Sequence, residues 1–456
     1  MMIPRHLAWT PRLHPLYPSS HLRQYRNLSS TPPSTPPNDN DPNAKLPPPP
    51  PDFDEPDLNL SSYAHLPHNF GTNQHMHIDD ALKDRLRSLL WQFRAPVRYA
   101  FAYGSGVFSQ GSNFSSGSVA GGKKPMIDLI FGVTYTQHWH SLNLAQHRDH
   151  YSFLGRMGSA VVSRVQDDFG AGVYFNPYVD VGGTLIKYGV VNLETLIHDL
   201  RTWDTLYLAG RLQKPVKILR DDPQVRLANQ HNLLSAVRTA LLLLPEKFTE
   251  HDLYTTIAGI SYTGDPRMKL YSENPHKVNN IVRNQLPHFR RLYSPLVEQL
   301  PNVQFLSQGV TWNDPAEHIM LEQDMDPQRR ANIIRRLPKS FREKVYFQYQ
   351  RKFAIPALDF EKMVGRSADE ERMLRREGGE FERRIATDPG NVGKVVGDVI
   401  KTTIGWPSTI QSLKGVVTAG PLRSWRYLKE KIGKWSAARK SGARDRSGGG
   451  KKGGTY

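Results

Sequence analysis

Two runs of sequence decide the fold: Ala100–Phe108 (AFAYGSGVF) and Met126–Val133 (MIDLIFGV). Each contains a continuous apolar segment of the length expected for a buried β-strand. The first runs directly into Gly104-Ser105-Gly106, and the second carries Asp128 near its start. Because glycine has no Cβ, the backbone N–H groups of such a turn can approach phosphate oxygens closely. A carboxylate on the next strand can hold Mg²⁺ against the same phosphates, so the two runs predict a metal–nucleotide site.

This pattern resembles the nucleotidyltransferase superfamily, whose motif is a hydrophobic residue, Gly, Gly or Ser, a spacer, and then Asp-x-Asp/Glu. The chain departs from that motif twice. A Gly/Ser-rich insert, 109–122, lengthens the spacer, and Ile130 stands where the second carboxylate belongs. Strand alternation places Ile130 on the same face as Asp128, so the site lacks one local ligand. The candidates for a second acidic ligand are Asp265, Asp180 and Asp168.

The rest of the chain mixes strands and helices without regular alternation, which favours an α+β fold over a doubly wound parallel sheet. From about Leu227 the pattern becomes helical. We expect a presequence at 1–30 and a Pro-rich disordered linker at 31–62. Two domains should follow: a nucleotidyltransferase domain at 63–226 and a smaller, mainly helical domain at 227–340, for which a winged-helix-like fold is one option. The remaining segments are a C-terminal region packing on the body at 341–420, a basic amphipathic membrane-binding helix at 421–440 and a disordered basic tail at 441–456.

Charge is concentrated at the two ends of the chain. The 456 residues include 60 Lys and Arg against 43 Asp and Glu, for a net charge of +17. Residues 1–38 contribute +4 and residues 421–456 contribute +9, which leaves +4 for residues 39–420. A body so nearly neutral does not suit a general polyanion binder, so no nucleic-acid partner is expected. The absence of cysteine excludes disulfides, thiolate nucleophiles and Cys-based metal sites.

The two basic ends differ in composition and predict different functions. Residues 1–30 are Arg-rich, contain Ser and lack acids, which is typical of a mitochondrial presequence, although a plain disordered terminus has the same composition. A helix at 421–440 would have apolar residues on one face and basic residues outside that face, as membrane-interface helices do; packing of the helix on the protein itself is the alternative. Its apolar face consists of Leu422, Trp425, Leu428, Ile432 and Trp435.

A longer set of runs resembles the mitochondrial translocator assembly and maintenance family, the matrix phosphatidate cytidylyltransferases. These runs lie between about residues 66 and 300, with a further block near 400–420. They include LPHNFG, FAYGSGVFSQ, MIDLIFGV, WHSLNL, HYSFL, GAGVYFN, LIKYGV, LYLAGRLQKPVKI, SYTGDPRM and STIQSLKGVVTAG.

The resemblance implies that the chain makes CDP-diacylglycerol and pyrophosphate from CTP and phosphatidic acid with Mg²⁺, feeding cardiolipin synthesis. It implies a peripheral protein on the matrix side of the inner mitochondrial membrane. Asp128 would hold the metal, and Asp128, Asp265 and Lys187 would be the catalytic residues. The expected CTP-binding residues, for phosphates and for cytosine or ribose, are Gly104, Ser105, Gly106, Tyr103, Asn176, Tyr188, Arg211, Lys214 and Lys217.

Two other functions stay open at this point. An RNA-directed nucleotidyltransferase would share the fold, but it normally keeps Asp-x-Asp and a basic body. A non-enzymatic assembly factor of the inner-membrane protein translocase would not need the intact Gly-Ser-Gly turn or Asp128. A group of histidines (His138, His140, His147 and His150) also permits a zinc site, with structural roles as the alternative.

Overall fold

The computed structural model describes residues 70–108, 126–265, 276–306, 319–364, 377–388 and 390–420. All of them belong to one compact unit, which spans Phe53–Tyr456. The expected presequence, linker, membrane-binding helix and basic tail lie outside the described residues.

A five-stranded mixed sheet carries both of the runs that opened the sequence argument. Its spatial order is β3-β4-β2-β1-β5, and only the β2–β4 pair is parallel. This mixture of pairings, with helices on both sides, confirms the expected combination of α and β structure and excludes a doubly wound parallel sheet. The strands are β1 (Tyr99–Tyr103), β2 (Ile127–Val133), β3 (Val173–Val181), β4 (Thr184–Asn192) and β5 (Lys217–Arg220).

The two faces of this sheet are covered by different helices, and strands β1 to β4 are largely buried on both sides, whereas the edge strand β5 is partly exposed. One face, which includes Phe131 and Tyr188, packs against α1 (Asp80–Trp91) and α2 (Thr136–Gln146). The other face, which includes Phe101 and Ile130, joins the main helical core. Alternation along a strand therefore decides which of two separate environments each side chain enters.

The helical body is organised around α6 (Pro223–Leu243), which begins four residues before the expected domain start at 227. Asp222 caps its first turn through Gln224 N, and Pro223 occupies a first-turn position where no N–H is needed. The helices that pack on it are α4 (Leu193–Thr202), α5 (Ala209–Leu212), α7 (Glu250–Ile260), α9 (Leu286–Val297), α10 (Pro327–Arg335) and α14 (Val392–Ala419). The other helices are α3 (Ser159–Asp168), which packs on α2 and β3, α8 (Lys277–Asn284), α11 (Lys339–Lys352), α12 (Ala357–Val364) and α13 (Glu380–Ala386).

The helical body also contains a small antiparallel sheet, which leads into a capped helix. The sheet has the order β6-β8-β7, from β6 (Lys247–Thr249), β7 (Val303–Phe305) and β8 (Met320–Gln323). Helix α7 follows β6 directly. Thr249 and Asp252 form the predicted capping pair at its start, with the Asp252 N–H donating to Thr249 Oγ1 at 3.1 Å.

The long helix α14 connects the helical body to the edge of the large sheet. It packs against α6, α11 and the edge strand β3. The sequence there is rich in small residues and gave no clear indication of a helix. In the part of the chain that the structure describes, α14 included, no helix is long and apolar enough to cross a membrane.

Lys414 fastens α14 to the end of α3. Its buried Nζ donates to Phe169 O at 2.6 Å and to Gln166 O at 3.1 Å, and burial lowers its pKa to about 7. These carbonyls lie at the C-terminal end of α3, where a helix favours a positive partner. Replacing Lys414 by Met leaves buried carbonyls without a donor. We expect this change to lower the free energy of unfolding by about 2 kcal/mol.

Equilibrium urea unfolding measures this loss. The matched control is Lys401→Met, which removes an exposed lysine of the same helix and should change stability by less than about 0.5 kcal/mol. Equal effects of the two substitutions would show that Lys414 does not stabilise the contact.

The region 150–169 differs from what its sequence pattern predicts. Phe153, Met157, Val161 and Val165 form an apolar stripe at helical spacing, which predicts one helix over this range. Instead, two short 3₁₀ turns (Arg148–His150 and Phe153–Met157) precede α3. Gly158 separates them from the helix at a φ of 91°, a conformation that glycine adopts without strain. Phe153 and Met157 are consequently 54% and 59% exposed.

Candidate active site

Strand register brings the predicted metal ligand next to a lysine. In the parallel β2–β4 pair Asp128 lies beside Lys187, and in the antiparallel β1–β2 pair it lies beside Tyr103. Residues paired in this way project on the same face of the sheet. The Lys187 Nζ is 3.6 Å from Asp128 Oδ1, and both side chains are partly exposed. The carboxylate of Asp128 and the ammonium group of Lys187 thus lie together at the end of β1 and the start of β2. This region, with Tyr103, is called the active-site mouth below.

The glycine turn after β1 folds directly over Asp128. Gly104 has a φ of 82°, and a Cβ built on it would lie 3.2 Å from Asp128 Oδ2. The Gly104 carbonyl accepts hydrogen bonds from the N–H groups of Val107 and Phe108, at 3.1 and 3.0 Å. A Cβ on Gly106 would lie only 2.6 Å from Met126 O. Glycine is therefore required at both positions, and the turn lies close to the carboxylate of Asp128.

Aromatic rings hold two cations at this mouth. The Lys187 Nζ lies 4.6 Å from the centre of the Phe175 ring, and the Arg211 guanidinium lies 3.9 Å from that of Tyr207. Arg211 Nε also donates to the Tyr103 hydroxyl at 3.4 Å. Burial raises the pKa of Tyr103, an effect that Arg211 opposes, so this hydroxyl stays protonated. The rings limit hydration of the cations, which strengthens their attraction for an anion.

A second group of cations lies beyond Arg211. Lys214 donates to Ser261 Oγ at 2.6 Å and to the Gly210 carbonyl. Burial, followed by the positive charges of Arg211 and Lys277, lowers the pKa of Lys214 to about 7. The ammonium groups of Lys214 and Lys277 lie 5.2 and 5.1 Å from the Tyr262 ring. A bound phosphate would relieve the repulsion among these cations, so the group is suited to anion binding.

Sequence reasoning missed several of these residues. Phe175 and Tyr207 lie within runs that were recognised, and a search for aromatic residues flanking the cations would have found them. Tyr262 stands in the run SYTGDPRM, of which only Asp265 and Arg267 were considered. Lys277 had no sequence signal, because its place beside Lys214 depends on the packing of α7 against α8.

Three expected CTP ligands are not brought to this mouth. Tyr188 follows Lys187 on the same strand, so it points to the opposite face, where Phe93, Phe131 and Trp139 surround it. Asn176 pairs with Tyr188 in the antiparallel β3–β4 register and is fully buried. These two residues belong to the packing of the sheet.

Lys217 is the third expected ligand that lies elsewhere. It pairs with Ala102 of β1, the neighbour of Tyr103, and therefore occupies the face opposite Asp128. Its Nζ donates to Met76 O at 2.7 Å. Burial, together with the charges of Lys83 and Arg87 on α1, lowers its pKa. This placement separates Lys217 from Lys187 and Arg211.

The candidate second carboxylates lie in three different settings. Asp265 is buried and follows Gly264, and its N–H donates to the carbonyl of Tyr262 at 3.2 Å. Asp180 accepts a hydrogen bond from Gly183 N at 2.9 Å in the β3–β4 turn, and Asp168 ends α3. Among the three, Asp265 shares a chain segment with the cation group around Lys214. Arg267 lies outside the described residues.

The histidines make contacts that suit structural roles. His140 is buried between the Tyr151 hydroxyl and Gln166 Oε1, at 2.8 and 2.9 Å, and burial lowers its pKa to about 4. His147 and His150 lie near Asp149, but their rings are stacked 4.3 Å apart and are parallel within 2°. His150 Nδ1 lies 2.9 Å from the Tyr188 hydroxyl, and His147 Nε2 lies 3.3 Å from Gln92 O. A hydrogen bond therefore engages one nitrogen of each ring, which favours the structural interpretation.

Comparison with known proteins decides the family. A family model described as "Phosphatidate cytidylyltransferase, mitochondrial" matches residues 86–434. The chain belongs to this family. The match includes Tyr103, Asp128, Lys187 and Arg211, which are the residues that the structure gathers at the mouth.

Several relatives have this same name, and each matches the chain over most of its own length. The Schizosaccharomyces pombe protein named mitochondrial phosphatidate cytidylyltransferase is 35% identical over 397 residues, which cover 83% of this chain and 93% of the relative. The Mus musculus protein of that name is 39% identical, covering 76% and 94%. The Saccharomyces cerevisiae protein is 46% identical over a shorter match, covering 57% and 68%. The family resemblance read from the sequence is confirmed.

Proposed function

We propose that this chain transfers the cytidylyl group of CTP to phosphatidate, yielding CDP-diacylglycerol and pyrophosphate. It is a nucleotidyltransferase of the phosphatidate cytidylyltransferase family, and its relatives bear the name of this reaction. One observation links the proposed reaction to particular residues of this chain. Asp128 and Lys187 meet beneath the Gly104 turn, 3.6 Å apart, in a position to receive the phosphates of a nucleotide.

The reaction demands charge neutralisation more than acid–base catalysis. A phosphate oxygen of phosphatidate forms a bond to the α-phosphorus of CTP, and the bond from that phosphorus to the α–β bridging oxygen breaks. The bonding electrons leave with pyrophosphate. Both substrates are anions, so cations must offset their repulsion and the charge that develops on the leaving group. We propose that Lys187 and Arg211 bind the triphosphate and that Lys214 binds a second phosphate.

The mouth also fits Mg²⁺, which prefers oxygen ligands and commonly takes one or two carboxylates together with substrate phosphates. Asp128 offers that carboxylate, and the missing Cβ at Gly104 keeps space beside Oδ2. A bound Mg²⁺ would neutralise triphosphate charge. Ile130 is fully buried and gives no ligand, so we propose Asp265 as the second acidic group.

We also propose the finer architecture that the family resemblance implied. The mixed sheet with a Gly-Ser turn after β1 and an aspartate on β2 supports a nucleotidyltransferase domain. The small sheet β6-β8-β7, which is adjacent to α7, supports a winged-helix-like second domain.

A direct assay tests the reaction. Purified protein is incubated with Mg²⁺, phosphatidate and CTP labelled in the cytosine ring, and the lipid phase is examined for labelled CDP-diacylglycerol. The proposal requires labelled lipid that depends on both substrates. Extension of an RNA primer without labelled lipid would favour the RNA-directed enzyme. The absence of both products would favour the assembly factor.

We propose that the enzyme acts as a peripheral protein on the matrix side of the inner mitochondrial membrane and supplies cardiolipin synthesis. Its relatives are named mitochondrial. Phosphatidate resides in a bilayer, so an enzyme that uses it must work at the bilayer surface. The basic composition of residues 421–440 supports binding of this segment to anionic lipid.

Replacing Trp425 and Trp435 by Ala should lower the partition coefficient onto anionic vesicles by about tenfold, because tryptophan anchors amphipathic segments at the interface. Vesicle co-flotation measures the change. The control is Trp91→Ala, which removes a tryptophan that is 85% exposed on α1. Flotation of the double variant at the level of wild type would contradict a role of this segment in membrane binding.

A further inference from the structure

A surface pocket lies apart from the active-site mouth. Its volume is about 550 Å³, and Arg148, Tyr151, Ser152, Phe153 and Arg156 are among the residues that line it. Tyr151 packs on Tyr174, the neighbour of Phe175 on β3. Phe175 faces Lys187, so Tyr174 and the pocket belong to the opposite face of the sheet. The pocket is therefore separate from the mouth that holds Asp128.

The charged groups of this pocket favour a phosphate. Arg148 and Arg156 are both exposed at its surface, and Asp149 is the single carboxylate among the lining residues. A guanidinium group presents a planar set of donors that matches phosphate oxygens in bidentate fashion, and it is less strongly hydrated than an ammonium group. Two arginines against one carboxylate leave the pocket positively charged.

Exposed apolar side chains lie in the pocket wall and in the segments that adjoin it. Phe153 lines it, and Met157 ends the same 3₁₀ turn; both are more than half exposed. Ser152 Oγ donates to the carbonyl of Val417, at 3.1 Å, which ties the turn to the last part of α14. There Leu413 is 69% exposed and Val417 is partly exposed. Exposed apolar groups of this size around a polar centre are typical of an interaction surface.

The combination of charge and apolar exposure fits a bilayer. A protein partner would not need two arginines inside a pocket with apolar groups around it, whereas a phospholipid supplies a phosphate and acyl chains side by side. The chain after α14, residues 421–456, carries a net charge of +9, and α14 ends at the pocket, where Gly420 approaches Ser152. The most basic segment of the chain therefore follows directly after the end of α14, which lies at the pocket.

We infer that this pocket binds the headgroup phosphate of an anionic phospholipid at a bilayer surface, while Phe153, Met157 and Leu413 contact the acyl region. The inference rests on the proposed function, which places the enzyme at a lipid surface. It adds to that function a docking site within the folded body, distinct from the catalytic mouth and from residues 421–440.

The full chain tests the inference in a vesicle co-flotation assay. Arg148→Gln with Arg156→Gln should lower the partition coefficient by about tenfold on phosphatidylcholine vesicles that contain about 30 mol% phosphatidylglycerol, since each basic residue near an anionic surface contributes measurably to binding. Phe153→Ala with Leu413→Ala should lower binding to these vesicles and to vesicles of phosphatidylcholine alone. The matched control is Arg351→Gln with Arg383→Gln, which removes two exposed arginines from α11 and α13.

Several outcomes would overturn the docking site. Equal flotation of the pocket variant and wild type would do so, as would an equal loss in the control variant, which would show a general charge effect. Displacement of the protein by millimolar inorganic phosphate would indicate a site for free anions. A difference in oligomeric state between the pocket variant and wild type, measured by sedimentation, would indicate that the pocket is an interface between copies of the chain. Turnover of dispersed short-chain phosphatidate reports separately on the proposed function, and the docking inference requires it to be unchanged in the pocket variant.

Discussion

Replacing Asp128 by Asn should reduce turnover by about 10³-fold or more, because it removes the carboxylate that is proposed to bind the metal while keeping the shape of the side chain. In the described residues, strand register places Asp128 beside Lys187, and the Gly104 turn lies over its Oδ2. An amide oxygen is a much weaker ligand for Mg²⁺ than a carboxylate. The turnover number at saturating CTP and phosphatidate measures the effect, and circular dichroism checks that the fold is retained.

The control for this substitution is Asp84→Asn, which removes an exposed carboxylate on α1 that is 3.9 Å from Arg87. It should leave turnover unchanged within about twofold, as substitutions at the exposed surface usually have small effects. An Asp128→Asn variant that keeps a tenth or more of wild-type turnover would remove Asp128 from the metal site.

Local patterns were sufficient to predict the elements that hold this site. The strands that carry Phe101 and Asp128 are short apolar runs, and the turn needs glycine at Gly104, so all of these features can be read from adjacent residues. The same logic could have corrected one error in advance. Lys187 and Tyr188 are neighbours on a strand and cannot face one mouth together.

Other placements depend on pairing that no local pattern records. Lys217 lies on the far face because β5 pairs with β1 in a register that sets it opposite Ala102. Lys414 caps the end of α3 from a distant helix, across 245 positions of the sequence from Phe169. The spacing of Phe153 and Met157 predicts that they continue one helix with Val161 and Val165, but Gly158 ends that periodicity. Tertiary packing decides such cases, and periodicity alone does not.

Replacing Lys187 by Met should lower the turnover number by about 10²-fold or more, since it removes a positive charge from the place where the triphosphate is proposed to lie. The Lys187 ammonium group lies 3.6 Å from Asp128 Oδ1 and 4.6 Å from the centre of the Phe175 ring. If it stabilises charge in the transition state, the turnover number falls and the KM for CTP changes little. If it only orients Asp128, the loss appears instead as a higher requirement for Mg²⁺.

Kinetics measured over a range of Mg²⁺ concentrations separate these two roles, and Lys187→Arg adds a second criterion. Arginine retains the charge, so a direct electrostatic role predicts partial recovery of turnover relative to Met. The matched control is Lys217→Met, which removes a lysine from the opposite face of the same sheet and should change turnover by less than about threefold. An equal loss in both lysine variants would mean that the two faces do not differ in function, and the site would then have to be placed elsewhere in the fold.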